Sequence, residues 1–205
     1  PTPGAEPPPT SVPNAVFLTS AEINGEMTDS DQGVQFPDLC GRGPVVEPRA
    51  ELVRVRSGFA REPGVPADNV PDVTLYHSVA RYPSTARALT WMLDLEDAVL
   101  SCPRRAQGTR GGESLYRLLP DPPALGDQVL FVEERIRAFD VVKDEFSDNY
   151  TVVYTVAVRH GDAVTVLHTR PYEDFGFTGP QRMRQLAAIA ADRLVRWRGD
   201  VAPGS

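Results

Sequence analysis

The chain has 205 residues, enough for one domain with a sizeable core, and its formal net charge is −7. This acidic balance excludes most nucleic-acid-binding classes, which present a basic patch or an alkaline pI. No apolar run approaches the roughly 18–20 residues that span a bilayer. We therefore expect membrane association only through an upstream anchor.

The first 13 residues, PTPGAEPPPTSVP, contain six prolines. This composition favours extended, polyproline-like conformations. It predicts either a disordered tail or a stalk between a membrane anchor and a folded domain. We accordingly divide the chain into a Pro-rich disordered stalk at 1–13, a folded domain at 14–198 and a C-terminal tail at 199–205.

Three helices are predicted. The stretch TSAEINGEM (19–27) opens with Thr19 and Glu22 at capping-box spacing, which indicates a short helix. A second helix is predicted over 84–102, where apolar residues recur at helical spacing. A third begins at Pro180, a residue suited to the first helical position, and carries an apolar stripe to the end of the domain.

Six extended segments are predicted as strands: AELVRVR (50–56), DVTLYHSVARY (72–82), GESLYRLL (112–119), DQVLFVEERIRAF (127–139), NYTVVYTVAVRH (149–160) and AVTVLHTR (163–170). The last two flank Gly161-Asp162, a pair suited to a type II′ hairpin turn. Strands that follow one another without regular crossover helices indicate an antiparallel sheet. We expect a single α+β domain, with an antiparallel sheet of about six strands and helices on one face.

The chain has two cysteines. Cys102 ends the apolar stripe of the second predicted helix, whereas Cys40 lies in FPDLCGRG, a stretch typical of a turn. Two buried free thiols are one interpretation, since free cysteine is among the most buried residue types. An even count without C-x-x-C spacing instead favours one structural disulfide in an oxidising compartment.

Several short motifs occur in an order that resembles the extracellular sensor domain of PknH-type receptor serine/threonine kinases and the related stand-alone lipoproteins. They are LTSAEIN near the start, a cysteine about 20 residues later, a Trp-containing helix running into a second cysteine, a strand opened by Gly126-Asp127-Gln128, a V-R-x-G-D hairpin and a C-terminal amphipathic helix. The resemblance covers roughly residues 15–198.

The resemblance implies an actinobacterial cell-envelope domain with a curved sheet, a possible cleft on the face opposite the helices, and no chemistry of its own. Domains of that family often carry two cysteine pairs, whereas this chain has only Cys40 and Cys102. The sequence contains no kinase and no membrane-spanning segment, so the lipoprotein form is the more similar one.

Catalytic motifs are scarce. The sequence has no G-x-S-x-G elbow, no phosphate-binding glycine loop and no H-E-x-x-H. His77 and His168 lie on separate predicted strands without a ligand-spaced partner, so we expect no metal site and no cofactor. The acidic segment DVVKDEFSDN (140–149) lacks the ligand spacing of a calcium loop.

One face of the predicted hairpin is polar. Pairing across Gly161-Asp162 places Thr155 opposite His168, with Arg170 two residues further along. This face is either solvated, as one face of an antiparallel sheet often is, or a concave surface that binds an anionic or polyhydroxylated ligand through arginine. The candidate ligand-binding residues are Thr155, His168, Arg170, Arg159, Glu133 and Arg135.

The sequence therefore predicts a non-enzymatic, extracytoplasmic ligand-binding or sensor-like domain of a cell-envelope lipoprotein, membrane-anchored or secreted, and monomeric. Its partner would be an envelope ligand or protein of unknown identity. An envelope protein–protein interaction module is the first alternative, and it predicts a contiguous exposed apolar patch. A hydrolase with a site assembled from scattered residues is the second.

Overall fold

A computed structural model describes residues 10–42, 49–106, 112–120, 122, 124–140, 142–172 and 176–199. Its strands are β1 Thr28–Ser30, β2 Leu52–Ala60, β3 Val73–Arg81, β4 Arg104–Ala106, β5 Glu113–Leu118, β6 Gln128–Arg137, β7 Phe139–Asp140, β8 Glu145–Phe146, β9 Thr151–His160 and β10 Ala163–Pro171. Its helices are α1 Ser20–Ile23, α2 Thr85–Ser101 and α3 Pro180–Gly199, preceded by a 3₁₀ turn at Asn14–Val16.

Eight strands form one sheet in the order β1-β2-β3-β10-β9-β6-β5-β4, and every adjacent pair is antiparallel. The six strands predicted from the sequence form its centre. The sheet is larger than predicted because β1 and β4, each of three residues, add an edge strand on either side. The strands β7 and β8 form a separate small hairpin.

The predicted hairpin between β9 and β10 is present, with His160 paired to Ala163 across a two-residue loop. Gly161 has a φ of 58° at the first loop position, which a type II′ turn requires and which glycine adopts without steric penalty. The hairpin register places Thr155 opposite His168, as the sequence predicted.

Helix α3 covers one face of the sheet. Its apolar stripe packs with Tyr154, Val156 and Val158 of β9, and α1 extends the same core through Ile23. The predicted capping box of α1 is present, since the Thr19 side chain accepts a hydrogen bond from the backbone N–H of Glu22 and the Glu22 carboxylate accepts one from that of Thr19.

Helix α2 covers the opposite face. Its buried side chains, including Trp91 and Leu95, pack with Ala157, Val164 and Val166, which alternate along β9 and β10 with the residues that face α3. The prediction that the helices share one face was therefore wrong: the sheet lies between α2 and α3. Both faces of its central strands are consequently buried.

A segment without helix or strand, residues 31–42, lies over the α2 side of the sheet and is called the strap below. Phe36 and Leu39 of the strap pack into the α2 core. The predicted disulfide between Cys40 and Cys102 is confirmed, with its Cα atoms 6.0 Å apart, and it ties the strap to the end of α2.

The chain termini lie partly outside the described residues. Residues 1–9 of the predicted stalk and 200–205 of the predicted tail are among them. Within the predicted stalk, Val12 is buried against Val16 and Phe17, so the packed domain begins before residue 14. No helix in the described part of the chain is both long and apolar enough to cross a membrane.

Candidate functional site

Thr155 and His168 lie together on the α2 side of the sheet. The Thr155 hydroxyl is 2.8 Å from Nδ1 of His168, and the two side chains belong to directly paired residues of β9 and β10. Both are buried, with exposures of 1% and 3%. The residues that the sequence paired are therefore in contact, but they do not form the solvated face that one interpretation predicted.

The His168 imidazole is neutral at physiological pH. Burial lowers its pKa to about 3, and the Arg170 guanidinium acts in the same direction. A neutral ring hydrogen-bonds a ligand without adding charge, so the positive charge beside the Thr155–His168 pair is that of Arg170.

Arg170 lies at the border of the buried region. Its Nη2 donates a 2.6 Å hydrogen bond to Oε1 of Gln35 in the strap, and its guanidinium stands 5.4 Å from the ring centroid of Tyr76. Tyr76 pairs directly with His168 from the other side. Arg170 thus connects the strap to the polar residues beneath it.

The strap contacts a second polar group on the same face. The Tyr116 hydroxyl donates a 2.9 Å hydrogen bond to the backbone carbonyl of Asp38, and Arg105 forms a 2.6 Å ion pair with the Asp38 carboxylate. Burial raises the pKa of the neighbouring Glu134 carboxyl, while Ser114, Tyr116 and Arg105 oppose that shift. Polar side chains therefore extend across β10, β9, β6 and β5 beneath the strap.

Arg159 lies elsewhere on that face. It is four residues from Thr155 along β9, about 13 Å in an extended strand, and it donates to Asp127 (3.1 Å) and to the backbone carbonyl of Gly161. The Asp127 carboxylate also accepts a bond from the Gly161 N–H, which lowers its pKa. Arg159 therefore supports the hairpin turn and is separate from the Thr155–His168 pair.

Glu133 and Arg135 lie on the opposite face of the sheet. Glu133 pairs with Tyr154 of β9, which belongs to the α3 core, whereas Thr155 points to α2. The expectation that both residues stand beside Thr155 was wrong, because the β6–β9 register places odd-numbered β6 residues beside even-numbered β9 residues. The structure instead joins Glu133 and Arg135 to each other at 2.7 Å.

Three features of this face were not predicted from the sequence: Tyr76 beside His168, Glu134 beside Tyr116, and the strap, which contacts Arg170 and Tyr116. Tyr76 and Glu134 belong to predicted strands, so their identity was visible, but their face depends on strand order. The strap has no periodicity and gave no signal except Cys40, whose bond to Cys102 brings it over α2.

Three open clefts, of about 480, 430 and 310 Å³, lie at other places on the surface. The first is lined by the 3₁₀ turn and by Arg193 and Trp197 of α3, and none of the three includes a predicted ligand-binding residue. Within the described residues, no group of three or more His, Cys, Asp or Glu side chains is arranged to hold a metal ion.

The fold defines an α+β domain with one large antiparallel sheet between two helices. It is similar to a crystal structure of the extracellular domain of PknH from Mycobacterium tuberculosis, with a TM-score of 0.56 and 14% sequence identity over 94% of this chain and 100% of that one. No family model matches the chain, and no curated protein matches it. At this identity the likeness establishes a shared fold.

Proposed function

We propose that this chain is a non-enzymatic, extracytoplasmic ligand-binding or sensor-like domain of a cell-envelope lipoprotein. Two observations support the location and the class. The fold is similar to that of the extracellular domain of PknH. The Cys40–Cys102 disulfide is of a kind that persists in oxidising compartments.

The main support for ligand binding is the set of buried polar side chains on β10, β9, β6 and β5 beneath the strap. A sheet face that only had to pack against the strap would be most stable with apolar side chains, because each buried polar group must be matched with a partner. Here Thr155 and His168 form a buried hydrogen-bonded pair two residues along β10 from Arg170, and Glu134 is buried beside Tyr116 on the same face. We propose that the ligand is anionic or polyhydroxylated and binds when the strap moves aside.

The hydrogen bond between Gln35 and Arg170 allows this proposal to be tested. Soluble peptidoglycan fragments serve as the probe, and calorimetry measures their affinity. Gln35→Ala removes the contact between the strap and Arg170 but keeps the Arg170 guanidinium, so we expect the fragments to bind more tightly. Arg170→Ala removes the cation, so we expect weaker binding. Gln32→Ala, at an exposed position in the same strap, is the matched control and should leave the affinity unchanged.

Hydrogen exchange supplies a second readout that does not depend on the choice of probe. Amides of residues 31–39 should exchange faster in Gln35→Ala than in the wild type, because opening of the strap is then less opposed. Equal exchange in the two proteins, together with equal affinities in all variants, would refute a ligand site beneath the strap.

An envelope protein–protein interaction module is the second candidate, and the outer face of α2 favours it. Leu89, Leu93 and Leu100 are exposed there, and their spacing of i, i+4 and i+11 places them on one stripe. Replacing all three by serine should abolish association with a protein partner in sedimentation experiments while leaving the Arg170-dependent affinity unchanged. That outcome would separate the two candidates.

A further inference from the structure

A cluster of charged side chains stands on the α3 side of the sheet. Glu133 of β6 pairs with Arg117 of β5 on one side and with Tyr154 of β9 on the other. Arg184 of α3 reaches the same place, because its guanidinium lies 5.6 Å from the ring centroid of Phe131. The Phe131 ring is in turn 5.8 Å from the Tyr154 ring.

Two of the arginines are oriented by a buried carboxylate. Arg117 and Arg135 donate through Nε to the same oxygen, Oε1 of Glu133, at 2.8 and 2.7 Å. The Glu133 side chain is only 6% exposed, whereas those of Arg117 and Arg135 are 55% and 44% exposed. The buried Glu133 carboxylate therefore fixes the guanidinium groups of Arg117 and Arg135, and the remainder of each side chain is exposed to solvent.

The cluster carries more positive than negative charge. Among the described residues, the guanidinium groups of Arg117 and Arg135 pair with the Glu133 carboxylate, and that of Arg184 stands over the neighbouring Phe131 ring. All four groups act on the Tyr154 hydroxyl: burial raises the pKa of Tyr154, Glu133 raises it further, and the three arginines lower it. A local positive surface thus stands on a chain with a net charge of −7.

We propose that Arg117, Arg135 and Arg184 bind an oxyanion (phosphate, sulfate or carboxylate), either free or carried on a polymer. Guanidinium groups match such groups with paired hydrogen bonds. Because Glu133 already fixes two of them, little side-chain entropy is lost on binding. This site lies on the sheet face opposite the strap, so it goes beyond the proposed function.

A second arginine pair extends the surface along the same strands. Glu113, with a fully buried side chain, is bonded by Arg137 at 2.6 Å and also contacts Arg104. It lies four residues from Arg117, about 13 Å along β5. A polymer with repeated anionic groups can reach both arginine pairs, and such linked contacts raise the overall affinity.

The test follows the arginine Nε–H signals in ¹⁵N NMR spectra during titration with inorganic phosphate, and then with linear polyphosphate at equal phosphate concentration. The signals of Arg117, Arg135 and Arg184 should move, and affinity should fall as ionic strength rises. Arg184→Gln should weaken phosphate binding about tenfold through loss of one charge-assisted contact, whereas Arg184→Lys should weaken it less. Arg184→Gln leaves the Glu133 pairs intact, so its thermal transition should match that of the wild type.

Arg87→Gln, an exposed arginine of α2, is the matched control and should bind phosphate as the wild type does. If polyphosphate binds more tightly per phosphate group than inorganic phosphate does, the ligand is an anionic polymer. If the two bind equally, the ligand is a free anion. Unmoved signals, or equal losses in Arg184→Gln and Arg87→Gln, would overturn the proposal. Arg170→Ala should leave this titration unchanged, so its result is independent of the site beneath the strap.

Discussion

His77 is held as a neutral ring in the core on the α3 side. The backbone N–H of Leu18 donates to its Nδ1 at 3.1 Å, so Nδ1 is an acceptor and the ring proton is on Nε2. Nε2 lies 2.9 Å from the Thr165 hydroxyl and donates to it. A second proton would oppose the Leu18 N–H directly, and burial lowers the pKa of His77 to about 3, with help from the nearby Arg193 and Arg56.

Acidification should therefore destabilise the protein well above the pH at which carboxylates titrate. The unfolded chain binds a proton at each histidine below pH 6.5, whereas folded His77 and His168 bind one only near pH 3. Their contribution to stability is present above pH 6.5 and is lost as the pH falls toward 3. At pH 5 the loss is about 2 kcal/mol per histidine, or about 4 kcal/mol together.

Three carboxyl groups also have pKa values that differ between the folded and unfolded states. Asp127 and Glu133 have lowered pKa values, so the stability that they contribute is lost only at more acidic pH. Glu134 has a raised pKa, and its protonation therefore favours the folded state as the pH falls. Between pH 7 and pH 5 the two buried histidines thus lower the free energy of unfolding, and Glu134 acts in the opposite direction.

Urea denaturation followed by the fluorescence of buried Trp91 measures the effect. The free energy of unfolding should fall by about 4 kcal/mol between pH 7 and pH 5 in the wild type. It should fall by much less in His77→Gln/His168→Gln, since glutamine hydrogen-bonds without titrating. Equal slopes in the double variant and the wild type would refute the reasoning.

Two further predictions concern covalent and steric constraints. Replacing Cys40 and Cys102 by serine should lower the free energy of unfolding by roughly 4 kcal/mol in the chain-entropy treatment of a loop of this length, and mass spectrometry of the unreduced protein should detect no free thiol. Gly58→Ala should lower the thermal midpoint sharply, because a Cβ there would lie 1.5 Å from the carbonyl oxygen of Glu26, whereas at Gly33 it meets nothing within 4 Å. A Gly33→Ala protein as unstable as Gly58→Ala would contradict this account.

Elements with strong local signals were predictable. The capping residues Thr19 and Glu22 start α1, and Ser84 accepts a bond from the Arg87 N–H at the start of α2. Hairpin register follows from a two-residue loop, so the contact between Thr155 and His168 was also accessible. Each of these features depends on residues close in sequence or joined by one turn.

The candidate site was only partly predictable, because its other members come from distant segments. Arg170 reaches Gln35 across 135 positions, and a strap without periodicity carries no signal of its destination. Glu133 and Arg135 were assigned to the wrong face for a related reason. Alternation along a strand shows which of its residues share a face, but only the register with the neighbouring strand shows whether that face is the α2 side or the α3 side.

The sequence by itself determined the central strands, the β9–β10 hairpin and the helix starts, since periodicity and turn chemistry act locally. It also limited an intramolecular disulfide to one pair, because the chain has only two cysteines. Only the tertiary structure decided that α2 and α3 lie on opposite faces of the sheet. The pattern of β9 allowed either outcome, because Thr155 and Ala157 can face water or a covering layer equally well. The strap and α2 supply that layer, and burial then lowers the pKa of His168 within a polar strand face.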